Sequence, residues 1–406
     1  MAIAFHQKKL PNGLTVIAEP NDDAHTSAVG FFVKTGTRDE DKALMGVSHF
    51  LEHMMFKGTA KRSAEDLNRE FDEIGAYNNA YTSNEMTVYY AQILPEYLPR
   101  AIDLLGDMLR PALREQDFTV AKNAILEEIG MYEDRPHSRR YDTLLETYFG
   151  EHPLSYRVLG TVDSIKALTS KQMEGYFEHR YSPDNITVAA AGRIDFDFLC
   201  DEVERVAGHW KPTGARREYV DPTITQGDYT ITDAKLNRAY MAIMAPGPSA
   251  QDERRYAASI ISDVLGDSSN SRLYWALVDP GLADDAEVAI LPYDQTGAYF
   301  AYASCDPERA REVEKKLIET IESYPDTIEP SEIERAKNKV ATSATLQGEN
   351  PGGRMRGLGS QWAYLGEYRS LKEELERITA VTIDEVKAVL KEWAWEPRTI
   401  VRLKPE

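Results

Sequence analysis

The sequence of 406 residues carries 47 lysines and arginines against 67 aspartates and glutamates, which gives a formal net charge of −20. This acidic balance disfavours nucleic acid as a partner and favours cationic peptides, which it would attract at long range. No apolar run approaches the roughly 18–20 residues that span a membrane, and Cys200 and Cys305 are too few for a disulfide framework. Residues 1–13 show neither a signal-peptide nor a transit-peptide pattern, so we expect a cytoplasmic protein.

Strands and helices alternate through the first half of the chain. A turn signal at Leu10–Gly13 precedes the first predicted strand, and helical spacing of apolar residues begins after the second. In chain order, the patterns predict strands 14–17 and 28–33, helices 42–56 and 63–74, a hairpin at 76–94, a long helix over 98–132 broken at Arg110–Pro111, strand 187–191 and helix 197–208.

The second half repeats this order of elements. A polar segment with a proline near each end, residues 211–222, separates the halves. Beyond it follow strand 238–244, helix 254–265, a Gly/Ser/Asn loop at 266–270, strand 298–303 and helix 307–323. Similar order in both halves indicates one fold used twice. We therefore predict an N-terminal domain over residues 1–212, a linker over 213–222 and a homologous C-terminal domain over 223–406.

The residues with the strongest chemical signal lie within the first predicted helix. His49 and His53 are four residues apart, so one helical turn brings both imidazoles onto one face, which Glu52 shares. Two neutral imidazoles can bind zinc, and a nearby carboxylate can take the proton of a zinc-bound water. This is the H-x-x-E-H order, the inverse of the commoner H-E-x-x-H zinc motif. The alternative is a pair of surface histidines in salt bridges with Glu52.

A catalytic zinc needs a third protein ligand from elsewhere in the chain. Glu127 and Glu128 are candidates on the long predicted helix, and they point about 100° apart, so only one can face the first helix. Ile125 and Ile129 mark the buried side of this helix, and Glu128 is closer to that stripe. The alternative is that both glutamates are solvated surface charges.

Several segments match the sequences of one peptidase family. They are His49–Thr59, Gly75–Thr82, Leu126–Ile129, Met131–Asp134, Gly150–Gly160 and Ser271–Tyr274. On these segments the chain resembles the inverted-zincin metallopeptidases that include pitrilysin, insulysin and the β subunit of mitochondrial processing peptidase. Residues 54–127 separate His53 from Glu128, and this family spacing selects Glu128 over Glu127 as the third ligand.

The resemblance implies one Zn²⁺ per chain, held by His49, His53 and Glu128, with Glu52 as general base toward the attacking water. It also implies that an extended peptide binds along an edge strand in the hairpin 76–88, because an edge strand accepts a further strand with little demand on sequence. The implied substrate-binding residues are Asn78, Asn79, Ala80 and Tyr81. Turn chemistry is the alternative for the two asparagines.

Two departures from the family pattern affect the expected role. Ala121 stands where family members carry a further glutamate, seven residues before the zinc-binding one. We therefore expect weaker zinc binding, unless Glu127 or Glu85 compensates. Leu277 and Asp284 stand where the family has an Arg and a Tyr that clamp the substrate. Neither a leucine nor an ionised aspartate can donate a hydrogen bond to a developing oxyanion.

The implied fold class is α+β, with two homologous domains, each a mainly antiparallel sheet covered by helices on one face, like half of a clam-shell. We expect the zinc-binding β-type subunit of an endopeptidase whose homologous partner supplies the Arg and Tyr. The alternatives are a non-catalytic scaffold, like the core proteins of the respiratory cytochrome complex, and a self-sufficient homodimeric peptidase. A scaffold has no need for the complete set of His49, Glu52, His53 and Glu128.

Overall fold

The computed structural model describes residues 4–406, which form two compact units. The first unit contains residues up to 130, 156–218 and 346–370, and the second contains 131–155, 219–345 and 371–406. One boundary, between Glu218 and Tyr219, falls within the predicted linker. The structure differs from the predicted contiguous domains in two segments. Residues 131–155 and 346–370 each belong to the unit that is built mainly from the other half of the sequence.

The secondary structure is mixed. The strands are β1 (His6–Lys9), β2 (Thr15–Pro20), β3 (Ser27–Val33), β4 (Tyr77–Thr82), β5 (Thr87–Ile93), β6 (Ile186–Gly192), β7 (Gly227–Thr232), β8 (Ala239–Pro246), β9 (Asp285–Tyr293), β10 (Thr296–Cys305) and β11 (Thr399–Lys404). The helices are α1 (Val47–Met55), α2 (Ala64–Glu73), α3 (Leu98–Met108), α4 (Glu115–Glu133), α5 (Pro136–Phe149), α6 (Val162–Ala167), α7 (Ser170–Arg180), α8 (Phe196–Ala207), α9 (Arg255–Gly266), α10 (Ala310–Ser323), α11 (Pro330–Glu349), α12 (Pro351–Leu365), α13 (Leu371–Ala380) and α14 (Ile383–Glu392).

The sheet of the first unit has the order β1-β2-β6-β3-β5-β4. All neighbouring strands are antiparallel except β2 and β6. On its first face, Val29 and Phe31 of β3 pack in one core with Phe50 and Met54 of α1 and with Ile125 of α4. This shared core places α1 and α4 in the same helical layer. At the open edge of the sheet, β4 is paired with β5 alone.

A single helix, α12, covers the second face of this sheet. Met355 and Leu358 of α12 pack against Phe32 of β3 and Tyr90 of β5. Gly359 permits this approach, since a Cβ there would lie 2.3 Å from the Phe32 ring. The prediction of helices on one face only is therefore wrong. In β3 and β5, successive side chains point to opposite faces of the sheet and are apolar on both. Both faces must therefore be covered by helices to bury these side chains.

The second unit has a sheet of order β7-β11-β8-β10-β9, in which only the β7–β11 pair is parallel. Helices α9, α10 and α14 contribute to the core on one face. On the other face, Leu144 and Tyr148 of α5 pack with Met244 and Val401. Both units are thus mainly antiparallel sheets packed by helices, which confirms the predicted fold class. Among residues 4–406, no helix combines the length and apolar character needed to cross a bilayer.

Candidate active site

Helix α1 holds the H-x-x-E-H residues. It begins after Gly46, which has a φ of +90° and whose Cβ would lie 2.8 Å from the Gly160 backbone. His49 and His53 lie one turn apart, with ring centroids 4.7 Å from each other. The buried apolar residues determine which side of this helix faces the core. They are Val47, Phe50, Leu51, Met54 and Met55.

The carboxyl group of the buried Glu40 caps the N-terminus of this helix. Glu40 Oε2 accepts from the Gly46 amide and Oε1 accepts from the Ser48 amide, both at 2.7 Å. Burial raises the pKa of Glu40 to about 8, and the two amide bonds act to lower it. No residue pattern marks Glu40 in the sequence, because its partners are backbone amides. The cap fixes the turn from which His49 projects.

Replacing Glu40 by glutamine is expected to lower the free energy of unfolding by about 1–3 kcal/mol, because the side-chain NH₂ cannot accept from a buried amide. Thermal or denaturant unfolding followed by circular dichroism measures the change. The neighbouring Asp41 is exposed and makes no side-chain cap bond, so Asp41→Asn should change stability by no more than about 0.5 kcal/mol. Equal stability of the two variants would contradict a capping role for Glu40.

Glu128 approaches both histidines from α4. Ile125 on the same helix is buried, while Glu127 points outward and is exposed. Glu128 Oε2 lies 3.9 Å from His49 Nε2 and 3.5 Å from His53 Nε2. Two ligand atoms of a tetrahedral zinc are about 3.4 Å apart when each bond is 2.0–2.1 Å. The three side chains therefore lie close to the separation that zinc requires, and their ligand atoms fall within 4.8 Å of one another.

The chemistry of these donors also fits a zinc ion. Burial, and then the charge of His53, lowers the pKa of His49 to about 3. Burial followed by the charge of Lys57 lowers the pKa of His53 as well. Both imidazoles are thus neutral at physiological pH, as metal ligands must be. The alternative of surface histidines paired with Glu52 is wrong, because His49 is buried and both rings lie beside Glu128.

Glu52 lies on the same helix and is held by the edge strand. Its Oε2 accepts from the Thr82 hydroxyl at 2.5 Å. Burial raises the pKa of Glu52 to about 7; the Thr82 bond acts to lower it, and the charge of Glu128 acts to raise it. A carboxylate with a pKa near the working pH can both take and return a proton. The sequence pattern did not predict a role for Thr82, although this residue ends a matched segment.

The predicted substrate residues lie on an edge strand. Asn78, Asn79, Ala80 and Tyr81 all belong to β4, which confirms the edge position expected for the hairpin. The turn alternative for the two asparagines is wrong, since the chain reverses after β4 ends at Thr82. The Asn79 side chain accepts from the Ala80 amide at 2.8 Å. Peptide binding by these residues stays a prediction.

A buried ionic cluster joins the loop before α1 to the β4–β5 hairpin. Asp39 accepts from Arg217 at 3.0 and 2.7 Å and lies 2.8 Å from Arg180. Glu85, in the hairpin turn, lies 2.6 Å from Arg38 and 3.7 Å from Arg217. All five side chains are at most 5% exposed, and charges so deeply buried require such pairing. No local sequence pattern predicted this cluster, because its members are spread along the chain.

The position of the missing family glutamate is apolar. Ala121 is fully buried in the core of the first unit. Of the two glutamates considered as substitutes, Glu127 is exposed and Glu85 belongs to the ionic cluster. Among residues 4–406, neither carboxylate joins the group of potential ligand atoms around His49.

The second unit carries Leu277 and Asp284 where the substrate-clamping pair was expected. Leu277 is fully buried in the core of this unit. Asp284 accepts from Arg238 Nε at 2.7 Å. Both side chains are therefore engaged in structural contacts of their own unit.

The structure has two units with mainly antiparallel sheets, and the first unit carries a His-His-Glu group beside a glutamate. These features define the class of inverted-zincin metallopeptidases. The profile of the insulinase family (peptidase family M16) matches residues 15–162, and that of the peptidase M16 inactive domain matches residues 167–340. A zinc protease of Streptomyces coelicolor is 33% identical over 396 residues, which cover 94% of this chain and 86% of the relative. The chain belongs to the insulinase family, peptidase family M16.

Solved structures share the whole fold. A protease from Helicobacter pylori matches with a TM-score of 0.93 at 20% identity, over 99% of this chain and 100% of its own. A chain in the structure of complex III2 from Candida albicans matches with a TM-score of 0.87 at 21% identity, over 98% of this chain and 95% of its own. At these identities the likeness establishes the fold alone.

Proposed function

We propose that this chain is a zinc-dependent endopeptidase subunit that cleaves extended peptides. The observation that carries the proposal is the close group of His49, His53 and Glu128 with Glu52 on the same helix. A scaffold subunit of this fold has no need for such a group. The zinc proteases among the relatives support the same chemistry.

The residues of this group have different roles in hydrolysis. His49 and His53 would hold one zinc through Nε2, together with a carboxylate oxygen of Glu128. Bound zinc would supply the positive charge that makes water nucleophilic near neutral pH. Glu52 Oε2 is bonded to Thr82, so Oε1 is the atom that takes the proton of the attacking water. The same carboxyl then gives this proton to the leaving amine.

Extended peptides are the proposed substrates. The open side of β4 can accept a peptide as a further strand, and Thr82 joins this strand to Glu52. The net charge of −20 favours cationic peptides through an attraction that acts at long range and weakens with salt.

A homologous partner is the second part of the proposal. Leu277 lies in a core and Asp284 is paired with Arg238, so neither residue can donate a hydrogen bond to substrate. A partner would supply an Arg and a Tyr in their place. A heterodimer is therefore favoured over a homodimer, in which both chains would have the same two residues.

Metal analysis tests the first part. The purified chain, stripped of metal and reloaded with zinc, should hold about one zinc per subunit. His49→Ala, His53→Ala and Glu128→Gln should each abolish stoichiometric binding, because each removes one of three protein ligands. His179 is exposed and lies on α7, so His179→Ala should bind zinc like the wild type. Full zinc content in the His49 or His53 variant would contradict the proposed site.

A further inference from the structure

Helix α12 lies on the second face of the sheet, mainly over β3 and β6, and one side of it reaches β5 and β4. Three of its residues, four positions apart, contact β5 and then β4 in succession. Gly352 lies so close to Gln92 that a Cβ at this position would be 2.2 Å from the Gln92 side chain. The Arg356 guanidinium lies 5.5 Å from the Tyr90 ring centroid, and the Ser360 hydroxyl is near enough to Tyr81 to act on its pKa. One stripe of α12 therefore faces β5 and, at Tyr81, β4.

The pairing register places Arg356 beside the middle of β4. Tyr90, which the guanidinium covers, is opposite Asn79 in the β4–β5 ladder. Side chains of β4 alternate between the faces. Ala80 packs against the core of the first face, whereas Tyr81 packs against the core under α12. Arg356 thus lies on the face opposite α1, one strand away from the open edge.

Arg356 has no carboxylate partner among residues 4–406. Arg354, on the same helix, is instead paired with the buried Glu19. The guanidinium of Arg356 lies over the Tyr90 ring and is close enough to Tyr81 for its charge to act on that side chain. Burial raises the pKa of Tyr81, while the Ser360 bond and then the positive charge of Arg356 act to lower it. The second face beside β4 therefore presents an unneutralised cation within an acidic protein.

A peptide added to β4 would direct every second side chain toward this face. It would run about 10 Å from β5, since neighbouring strands are about 4.8 Å apart. Arginine and glutamate side chains together can span such a gap. A carboxylate is the group that pairs with a guanidinium through parallel hydrogen bonds.

We infer that Arg356 is a specificity-determining residue that binds an Asp or Glu side chain of a peptide held on β4. The inference rests on the proposed function and names its substrate class: extended peptides with an acidic residue at the position that faces α12. The negative net charge of the protein attracts cationic peptides as a whole, and this attraction acts at long range. Arg356, in contrast, binds one acidic side chain within such a peptide.

Peptide binding to the zinc-loaded Glu52→Gln protein tests this, because that variant should hold peptide without cleaving it. Fluorescently labelled peptides are compared in pairs that differ by Glu against Gln at one position, scanned along the peptide. At one position, or at two alternate positions, the Glu peptide should bind about ten-fold more tightly at low ionic strength. In the Glu52→Gln background, Arg356→Gln should remove this difference, and Arg356→Glu should reverse it, so that the Gln peptide binds more tightly than the Glu peptide.

Arg193 supplies the matched control. It is exposed, has no ion pair among the described residues, and follows β6, which two strands separate from β4. Arg193→Gln should keep the full Glu preference, and circular dichroism checks that all variants are folded. A Glu preference that survives Arg356→Gln, an equal loss in the Arg193 variant, or no binding of any peptide would each overturn the inference.

Cleavage is measured separately on the zinc-loaded protein with Glu52 intact, with and without a candidate partner. Cleavage that shows no Glu preference overturns the role of Arg356 and leaves the proposed peptidase standing. A Glu preference in binding without any zinc-dependent cleavage supports Arg356 and overturns the proposed peptidase.

Discussion

Replacing Glu52 by glutamine is expected to lower peptide hydrolysis by about 10²–10⁴-fold while leaving the zinc content unchanged. The amide cannot take a proton from water, yet the three proposed ligands, His49, His53 and Glu128, stay in place. The glutamine oxygen can still accept from Thr82, so the contact with the edge strand is kept. Metal analysis of the chain, and single-turnover cleavage of a peptide library with the candidate partner present, measure the two effects independently.

Glu127→Gln is the matched control for this substitution. Glu127 is adjacent to the proposed ligand Glu128 but is exposed and lies outside the ligand group. Its replacement should alter neither zinc content nor cleavage. If Glu52→Gln lost zinc as well as activity, Glu52 would be a ligand, and the proposed division of roles would be wrong.

The isolated chain is expected to bind zinc but to cleave peptides very slowly until a partner is added. Each oxyanion donor removed from a hydrolase costs about 10²–10³ in kcat. Leu277 and Asp284 leave two such contacts unmade, so a partner that supplies an Arg and a Tyr should raise kcat by at least about 10²-fold. The measurement is cleavage of a mixed peptide library by the chain alone and after titration with the candidate partner.

The partner's own Arg and Tyr provide the control. Their replacement by Met and Phe should leave the complex assembled, as seen by gel filtration, and should remove the activation. Full activity from the isolated chain, unchanged by any partner, would contradict the prediction and indicate a self-sufficient homodimer.

Short-range sequence patterns determined the centre of the site. The four-residue spacing of His49 and His53 is close to one turn of a helix, so helix formation alone brings the two rings together with Glu52 on their side. Buried Ile125 orients α4 in the same way and turns Glu128 rather than Glu127 toward them. The edge position of β4 was also predicted, on the resemblance of its hairpin to that of a known family.

Tertiary structure alone decided what supports this centre. Glu40 caps α1 by accepting from backbone amides, and every residue except proline has such an amide, so the sequence does not indicate this contact. Thr82 reaches Glu52 only because β4 is packed beside α1. Arg217 forms an ion pair with Asp39, although the two residues are far apart in the sequence. The second faces of both sheets are covered by helices from the other half of the sequence. Periodicity reports which side of an element is apolar, but the choice of the distant segment that buries it depends on how the whole chain packs.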